Sequence, residues 1–236
     1  MFSSPSSFNS SMSKGQTIAV LAYLPVHIVL IPLVLSVFME KGMSQESANL
    51  LYYSIGTVYM LCTTFSFLRR DFDPLWEKPF SCLMEVLRGY VLMYLCNLVL
   101  GLLSGYILGP EQSMNPNNDS IMSMASQDWG KVSAMAIFLA PIVEELLFRA
   151  GIFGTLRRRS RLAAYLLSVL AFSLYHVYPY LLLDWRNAVY IIQYLPVSFI
   201  LCMVYERSGT IWCSIFFHML NNWLSMQVLS SMKELL

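Results

Sequence analysis

Two glutamates and an arginine interrupt an apolar stretch of the sequence. Glu144, Glu145 and Arg149 lie within the apolar segment 132–156. If this segment spans a membrane, each charge near its centre costs about 2.5–3.5 kcal/mol even on insertion-based scales. Charges placed there at such cost indicate catalysis, a structural cluster that locks helices together, or a path for protons or ions.

Helical geometry gives these charges different roles. Glu145 and Arg149 are four residues apart, so they share a helix face and can form an ion pair. Glu144 points about 100° away from Glu145. Its own helix offers it only Leu147 and Phe148 at the pairing positions. A carboxylate without a partner in its own helix is suited to act as a general base.

Two further apolar segments carry polar side chains at helical spacing. Phe172 and His176 share one face, and His218 and Asn222 share another. Polar groups are stable within lipid only if they face the bundle interior or water. We therefore expect these side chains and Glu144 to converge on one hydrated cavity. Such a set supplies a base, a group that orients it and donors for an oxyanion.

The composition predicts a membrane protein. The 236 residues are 57% hydrophobic and 12% charged, against about 45–50% and 25% in ordinary soluble domains. These values exclude a soluble globule, a disordered chain, a collagen-like fibre and a coiled coil. The net charge of +1 provides no basic field for nucleic acid. Five cysteines without a CxxC pair suggest neither a disulfide framework nor a thiolate zinc site.

The apolar segments predict an all-α, polytopic transmembrane helix bundle with about seven spans. A span needs roughly 20 apolar residues. The sixth segment is short and carries Pro196, so it could form one kinked unit with the fifth, and the count ranges from six to eight. The turn formers in 109–131 predict a long loop. The seven segments are 17–38, 48–68, 83–108, 132–156, 162–183, 188–205 and 209–230.

The distribution of basic residues predicts the orientation in the membrane. Alternating the loops places ten lysines and arginines on one side and four on the other. Because the more basic side is normally cytoplasmic, we expect a multi-pass protein of the cell membrane with a cytoplasmic N-terminus. With seven spans the C-terminus lies outside. The arginines in 157–161 are interpreted as a topology anchor, with anionic lipid binding as the alternative.

Three motifs in this order resemble the CPBP family, the CAAX protease and bacteriocin-processing group also called Abi. They are Glu144-Glu145-x-x-x-Arg149, Phe172-x-x-x-His176 and His218-x-x-x-Asn222. The stretch Glu206–Trp212 is also similar to that family. The resemblance covers Lys131 to Ser225. It implies a variable scaffold of three spans over 17–130 and a catalytic helical core over 131–230. Residues 1–16 are rich in Ser, Met and Asn, and this composition predicts a disordered tail.

The resemblance implies an intramembrane endopeptidase related to the eukaryotic CAAX prenyl protease. By that similarity, Glu144 with His176 activates a water, while His218 and Asn222 stabilise the oxyanion. Supporting roles fall to three further residues, namely Glu145, Arg149 and Phe172.

No cofactor is expected to be required, although zinc is possible. Glu144, His176 and His218 are the ligands if a metal is bound, since two histidines and a glutamate can hold catalytic zinc. The zinc-protease motif HExxH is absent from the sequence. His27 has no polar companion one turn away, and we interpret it as structural.

The expected substrate is a peptide or membrane protein that reaches the site from the bilayer or its surface. Leader peptides, bacteriocin-like peptides and signalling peptides belong to this class. The alternative is a non-proteolytic immunity or regulatory protein that uses the same fold to bind a bacteriocin or a sensor kinase. A transporter is the third reading, but the sequence shows no inverted repeat.

Overall fold

The computed structural model describes residues 8–108 and 115–234, and this part of the chain forms nine helices and no strand. The predicted all-α bundle is therefore confirmed. The helices are α1 (Lys14–Glu40), α2 (Gln45–Arg70), α3 (Asp73–Glu77), α4 (Pro79–Leu108), α5 (Pro116–Gln127), α6 (129–157), α7 (Arg161–Leu181), α8 (Ile191–Ser208, after the 3₁₀ turn Trp185–Tyr190) and α9 (Ile211–Glu234).

Within the described residues, five helices are long and apolar enough to cross a membrane. They are α1, α2, α4 over Pro79–Leu100, α7, and α8 with its preceding turn. The other two predicted spans are helical as well, in α6 and α9. They fall outside this group because α6 contains five charged side chains, three of them (Glu144, Glu145 and Arg149) in its middle, while α9 contains the polar side chains of His218 and Asn222. The residues that mark the site thus make its helices the least apolar.

Helix α6 lies at the centre of the bundle. It packs against α1, α2, α7 and α9, and every side chain from Val143 to Ala150 is buried. Its backbone changes from α to π geometry over Met135–Leu139 and Glu145–Phe153. Pro141 follows the first of these stretches and has no N–H to donate to the carbonyl four residues back. π-Helical segments are frequent at functional sites.

The described part of the predicted loop 109–131, residues 115–131, is mostly helical. The side chain of Asn115 accepts the N–H of Asn117 at 3.0 Å and caps α5, and Pro116 occupies the first turn. Asn at the N-cap and Pro at the first helical position are typical helix starts. The turn formers therefore begin a helix here. The first part of the predicted loop, 109–114, lies outside the described residues.

The predicted disordered tail, 1–16, differs from the structure over its second half. Phe8 packs edge-on against the ring of Tyr205 at 5.1 Å, so the segment 8–13 is held against the bundle. The side chain of Ser13 then caps α1 in a capping box. The segment is held because the apolar ring of Phe8 is buried against the bundle, a contact that a wholly polar tail could not make. The first seven residues lie outside the described part of the chain.

The expectation of no disulfide is wrong for one pair. Cys82 in the first turn of α4 and Cys213 in the first turn of α9 are joined, with their Cα atoms 6.0 Å apart. They are separated by 131 residues in sequence, so only the packing of the two helices reveals the pair. Cys62, Cys96 and Cys202 are free.

Candidate active site

A cavity of about 480 Å³ opens between the helices of the bundle and contains all four predicted catalytic side chains on its wall. Glu144 comes from α6, His176 from α7, and His218 and Asn222 from α9. Apolar side chains of α1 and α5, such as Leu35 and Met124, form another part of the wall. The predicted convergence on one cavity is thus present in the structure.

Glu144 is buried, and its two carboxylate oxygens have different surroundings. Oε1 accepts a hydrogen bond from the hydroxyl of Tyr53 at 3.0 Å. Oε2 faces Nε2 of His176 at 3.6 Å and Nε2 of His218 at 3.8 Å. One oxygen is therefore fixed by α2, while the other points toward two imidazole rings across gaps longer than a direct hydrogen bond.

His176 is oriented by its own helix and by an aromatic wall. Its Nδ1 lies 3.0 Å from the carbonyl oxygen of Phe172. Since a carbonyl can only accept, Nδ1 carries the proton and Nε2 presents a lone pair in the neutral ring. The ring also stacks on Tyr194, with the centroids 4.6 Å apart. Both contacts direct Nε2 toward Glu144.

His218 is oriented by the second glutamate. Its Nδ1 lies 2.9 Å from Oε1 of Glu145. The other oxygen of Glu145 accepts a 2.6 Å hydrogen bond from Ser214. Arg149 lies 3.2 Å from Oε1, and its guanidinium stands over the Phe172 ring at 4.1 Å. Glu145 therefore connects the buried arginine to the histidine that faces Glu144, a link that spacing within α6 could not reveal.

Asn222 lines the cavity but bonds elsewhere. Its amide nitrogen donates to the carbonyl oxygen of Ala136 at 2.9 Å, and its oxygen accepts from Asn221 at 3.3 Å. No described hydrogen bond joins Asn222 to Glu144. One N–H of the amide is engaged with α6, which leaves the second for a ligand in the cavity.

A cluster of tyrosines that no motif marks surrounds Glu144. The hydroxyl of Tyr175 lies 3.0 Å from that of Tyr53, 3.4 Å from that of Tyr52 and 3.2 Å from Nε2 of the buried His27. Tyr53 comes from α2, in the motif-free scaffold. The sequence contains no signal for it beyond a Tyr-Tyr pair in an apolar segment.

A close approach of two helices brings Tyr53 to Glu144. Gly56, one turn after Tyr53, faces Val143, the neighbour of Glu144. A Cβ atom at Gly56 would lie 3.1 Å from Val143 Cγ2, closer than ordinary contact. Small residues of this kind let helix backbones approach in membrane bundles. Glycine at this position thus permits α2 to contribute to the site.

Among the described residues, the site has the donor atoms that a metal ion would need, but not in a recognised group of three ligands. The atoms that face one another are a carboxylate oxygen and two imidazole nitrogens, and these are donor types of catalytic zinc. Within residues 8–108 and 115–234, however, no group of three His, Cys, Asp or Glu side chains is arranged to hold a metal ion. The donor types therefore fit zinc, while the described residues form no complete group of three ligands.

Comparison with known families agrees with the motifs. Residues 128–224 match the family model described as type II CAAX prenyl endopeptidase Rce1-like. This match confirms the predicted resemblance to CAAX proteases, and it includes all three motifs. It supports a multi-pass membrane endopeptidase in general terms. Searches of curated proteins and of solved structures found no match to the chain.

Proposed function

We propose that the protein is an intramembrane endopeptidase that cleaves a peptide bond with a water activated by Glu144 and His176. The observation that carries this proposal concerns Oε2 of Glu144, the carboxylate oxygen that Tyr53 does not bind. It faces two imidazole nitrogens at 3.6 and 3.8 Å within a cavity. Polar groups at such distances are commonly bridged by water. A carboxylate and an imidazole that share a water can remove its proton as its oxygen attacks a carbonyl.

In this mechanism the remaining polar side chains stabilise the negative charge that develops on the oxygen of the attacked carbonyl. Glu145 accepts from Nδ1 of His218 and stabilises the imidazolium form, so that Nε2–H can donate to the oxyanion. The second N–H of Asn222 is a further donor. Glu144 then returns the proton to the leaving amine, which completes hydrolysis. Arg149 and Phe172 hold Glu145 and His176 in position.

The cavity wall favours an apolar peptide segment. Leu35, Met39 and Met124 line it beside the polar centre, and flexible methionines adapt to varied apolar side chains. A leader peptide, a bacteriocin-like peptide or a signalling peptide fits this description. Comparative peptidomics of the native host with wild type and with Glu144→Ala tests the proposal. Peptides that accumulate uncut only in the variant support it, whereas identical peptide profiles with intact bacteriocin protection favour an immunity protein.

Tyr53→Phe is expected to lower kcat about tenfold to hundredfold with little change in KM. A hydrogen bond to a charged group contributes about 1.5–3 kcal/mol, and here it fixes the base itself. Initial rates at several concentrations of the identified peptide measure both constants. Phenylalanine preserves the ring and its packing, so the thermal unfolding midpoint should stay close to that of wild type.

Tyr52→Phe is the matched control for Tyr53→Phe. Its hydroxyl lies 3.4 Å from that of Tyr175 and makes no described hydrogen bond to Glu144. We expect its kcat to remain within about twofold of wild type. If the two variants lose activity equally, the hydroxyl of Tyr53 has no special role in positioning Glu144.

We propose that cleavage needs no metal, and we expect activity to survive exhaustive chelation. Glu144 and His176 can remove the proton and His218 can stabilise the oxyanion without a Lewis acid. Rates before and after chelator treatment are measured together with the metal content of the active protein. Stoichiometric zinc whose removal abolishes turnover, and whose return restores it, contradicts this prediction and assigns Glu144, His176 and His218 to the metal.

We propose a cytoplasmic N-terminus and an external C-terminus. Ion pairs support a common basic end: Glu206 pairs with Arg157 and Arg161, and Glu85 with Arg88 and Arg207. The site cavity is lined instead by the second half of α1 and the first half of α2, which meet at the opposite end. Tags at both termini should be reached by protease from opposite sides of the membrane. Two cytoplasmic ends contradict the seven-span arrangement.

A further inference from the structure

A second cavity, of about 740 Å³, lies at the basic end of the molecule and shares no lining residue with the first. Its wall is formed by the N-terminal segment with the start of α1, by the end of α2, and by the end of α6 with the turn after it. Four cationic side chains line it and no carboxylate does. These cations are Lys14, Arg70, Arg158 and Arg159.

None of the four lining cations has an ion-pair partner among the residues that the structure describes. The nearby glutamates are engaged elsewhere: Glu206 with Arg157 and Arg161, and Glu85 with Arg88 and Arg207. Asp71, the neighbour of Arg70, is a buried carboxylate outside the lining and offsets only part of this charge, so the cavity still concentrates positive charge. Like charges at close range repel one another, and a bound anion removes that repulsion.

Two of the cations converge on a single residue. Arg70 donates to the backbone oxygen of Ser11 at 2.6 Å, and Arg158 donates to its hydroxyl. Both guanidinium groups are thereby held at the same wall of the cavity, and neither makes another hydrogen bond to a side chain or carbonyl within the described part of the chain. Guanidinium forks match the oxygens of a phosphate, and the hydroxyl of Thr17 on the same wall is a further donor.

The position of the cavity indicates a lipid rather than a free ion. Lys14 is the first residue of α1 and Arg70 is the last of α2, two helices long enough to span the membrane. The cavity therefore lies at the level of the lipid headgroups. Ile18, one turn farther along α1, also lines it and is 68% exposed, so it offers an apolar surface to an acyl chain. We propose that this cavity binds the phosphate headgroup of an anionic phospholipid.

Lipid binding by the purified full-length chain tests the proposal independently of any proteolysis. Phosphatidylglycerol and phosphatidylcholine are titrated separately onto the protein in detergent, and bound lipid is counted by native mass spectrometry. We expect phosphatidylglycerol to bind with a stoichiometry near one and phosphatidylcholine to bind far more weakly. Because each interfacial cation contributes substantially to anionic lipid binding, the double variant Arg158→Gln/Arg159→Gln should weaken phosphatidylglycerol binding at least about tenfold.

The matched control is Arg69→Gln/Lys78→Gln, which removes the same charge from the same end but outside the cavity. We expect it to weaken binding less than about twofold. Equal weakening by both double variants overturns the proposal, since anionic lipid is then attracted by the overall positive charge of this end and not by the cavity. Inorganic phosphate that binds as tightly as the lipid also overturns it, in favour of a free-anion site. Lys14→Gln, at an exposed helix start, provides the same test if the arginine variant fails to fold.

Discussion

Glu144→Gln is expected to lower the rate of peptide cleavage at least about a thousandfold, the scale on which loss of a catalytic base acts. The amide has the shape of the carboxylate and can still accept the hydroxyl of Tyr53 through its oxygen. It cannot take a proton from the attacking water of the proposed mechanism. Single-turnover cleavage of the identified peptide measures the effect, and thermal unfolding shows whether the bundle is intact.

Histidine variants extend this test to the opposite wall of the cavity. His176→Ala and His218→Ala should abolish cleavage as well, because each removes an imidazole that faces Oε2 of Glu144. His27→Ala is the control, since His27 contacts the Tyr175 hydroxyl and not the carboxylate. We expect it to retain most of its activity. Full activity in Glu144→Gln would refute the proposed chemistry.

The spacing of the motifs predicts which residues meet in the cavity, because helical periodicity determines the face on which each side chain lies. His176 and His218 fall on buried faces, and lipid leaves them no stable place except the interior. Asn222 shows the limit of this reasoning: its face is correct, but its amide bonds to Ala136 of α6. Periodicity determines a direction, whereas the partner depends on how two helices pack.

Contacts between distant helices were the part that the sequence could not predict. Tyr53 reaches Glu144 only because Gly56 lets α2 approach Val143. Glu145 reaches His218 across 73 residues. The spacing of residues within one segment does not indicate either contact, since each depends on the relative rotation and depth of separate helices. The scaffold, which carries no motif, therefore contributes directly to the candidate site.

Arg149→Met is expected to destabilise the bundle by about 3–5 kcal/mol, the usual cost of breaking a buried ion pair by removing one partner. Arg149 is fully buried, lies 3.2 Å from Glu145 and donates to the carbonyl and hydroxyl of Ser198. Methionine fills similar volume but removes the guanidinium that pairs with the carboxylate of Glu145. Unfolding in mixed micelles of detergent and denaturant measures the change in free energy.

The double variant Glu145→Gln/Arg149→Met separates stability from catalysis. Removing both charges leaves no isolated buried ion, so the double variant should be more stable than Arg149→Met alone. Its cleavage rate should nevertheless stay far below wild type, because in the proposed mechanism the charge of Glu145 supports His218 as a donor to the oxyanion. If stability and cleavage recover together, the pair only holds α6 in place. If the double variant is as unstable as Arg149→Met, the arginine stabilises the bundle through Ser198 and Phe172 instead of through Glu145.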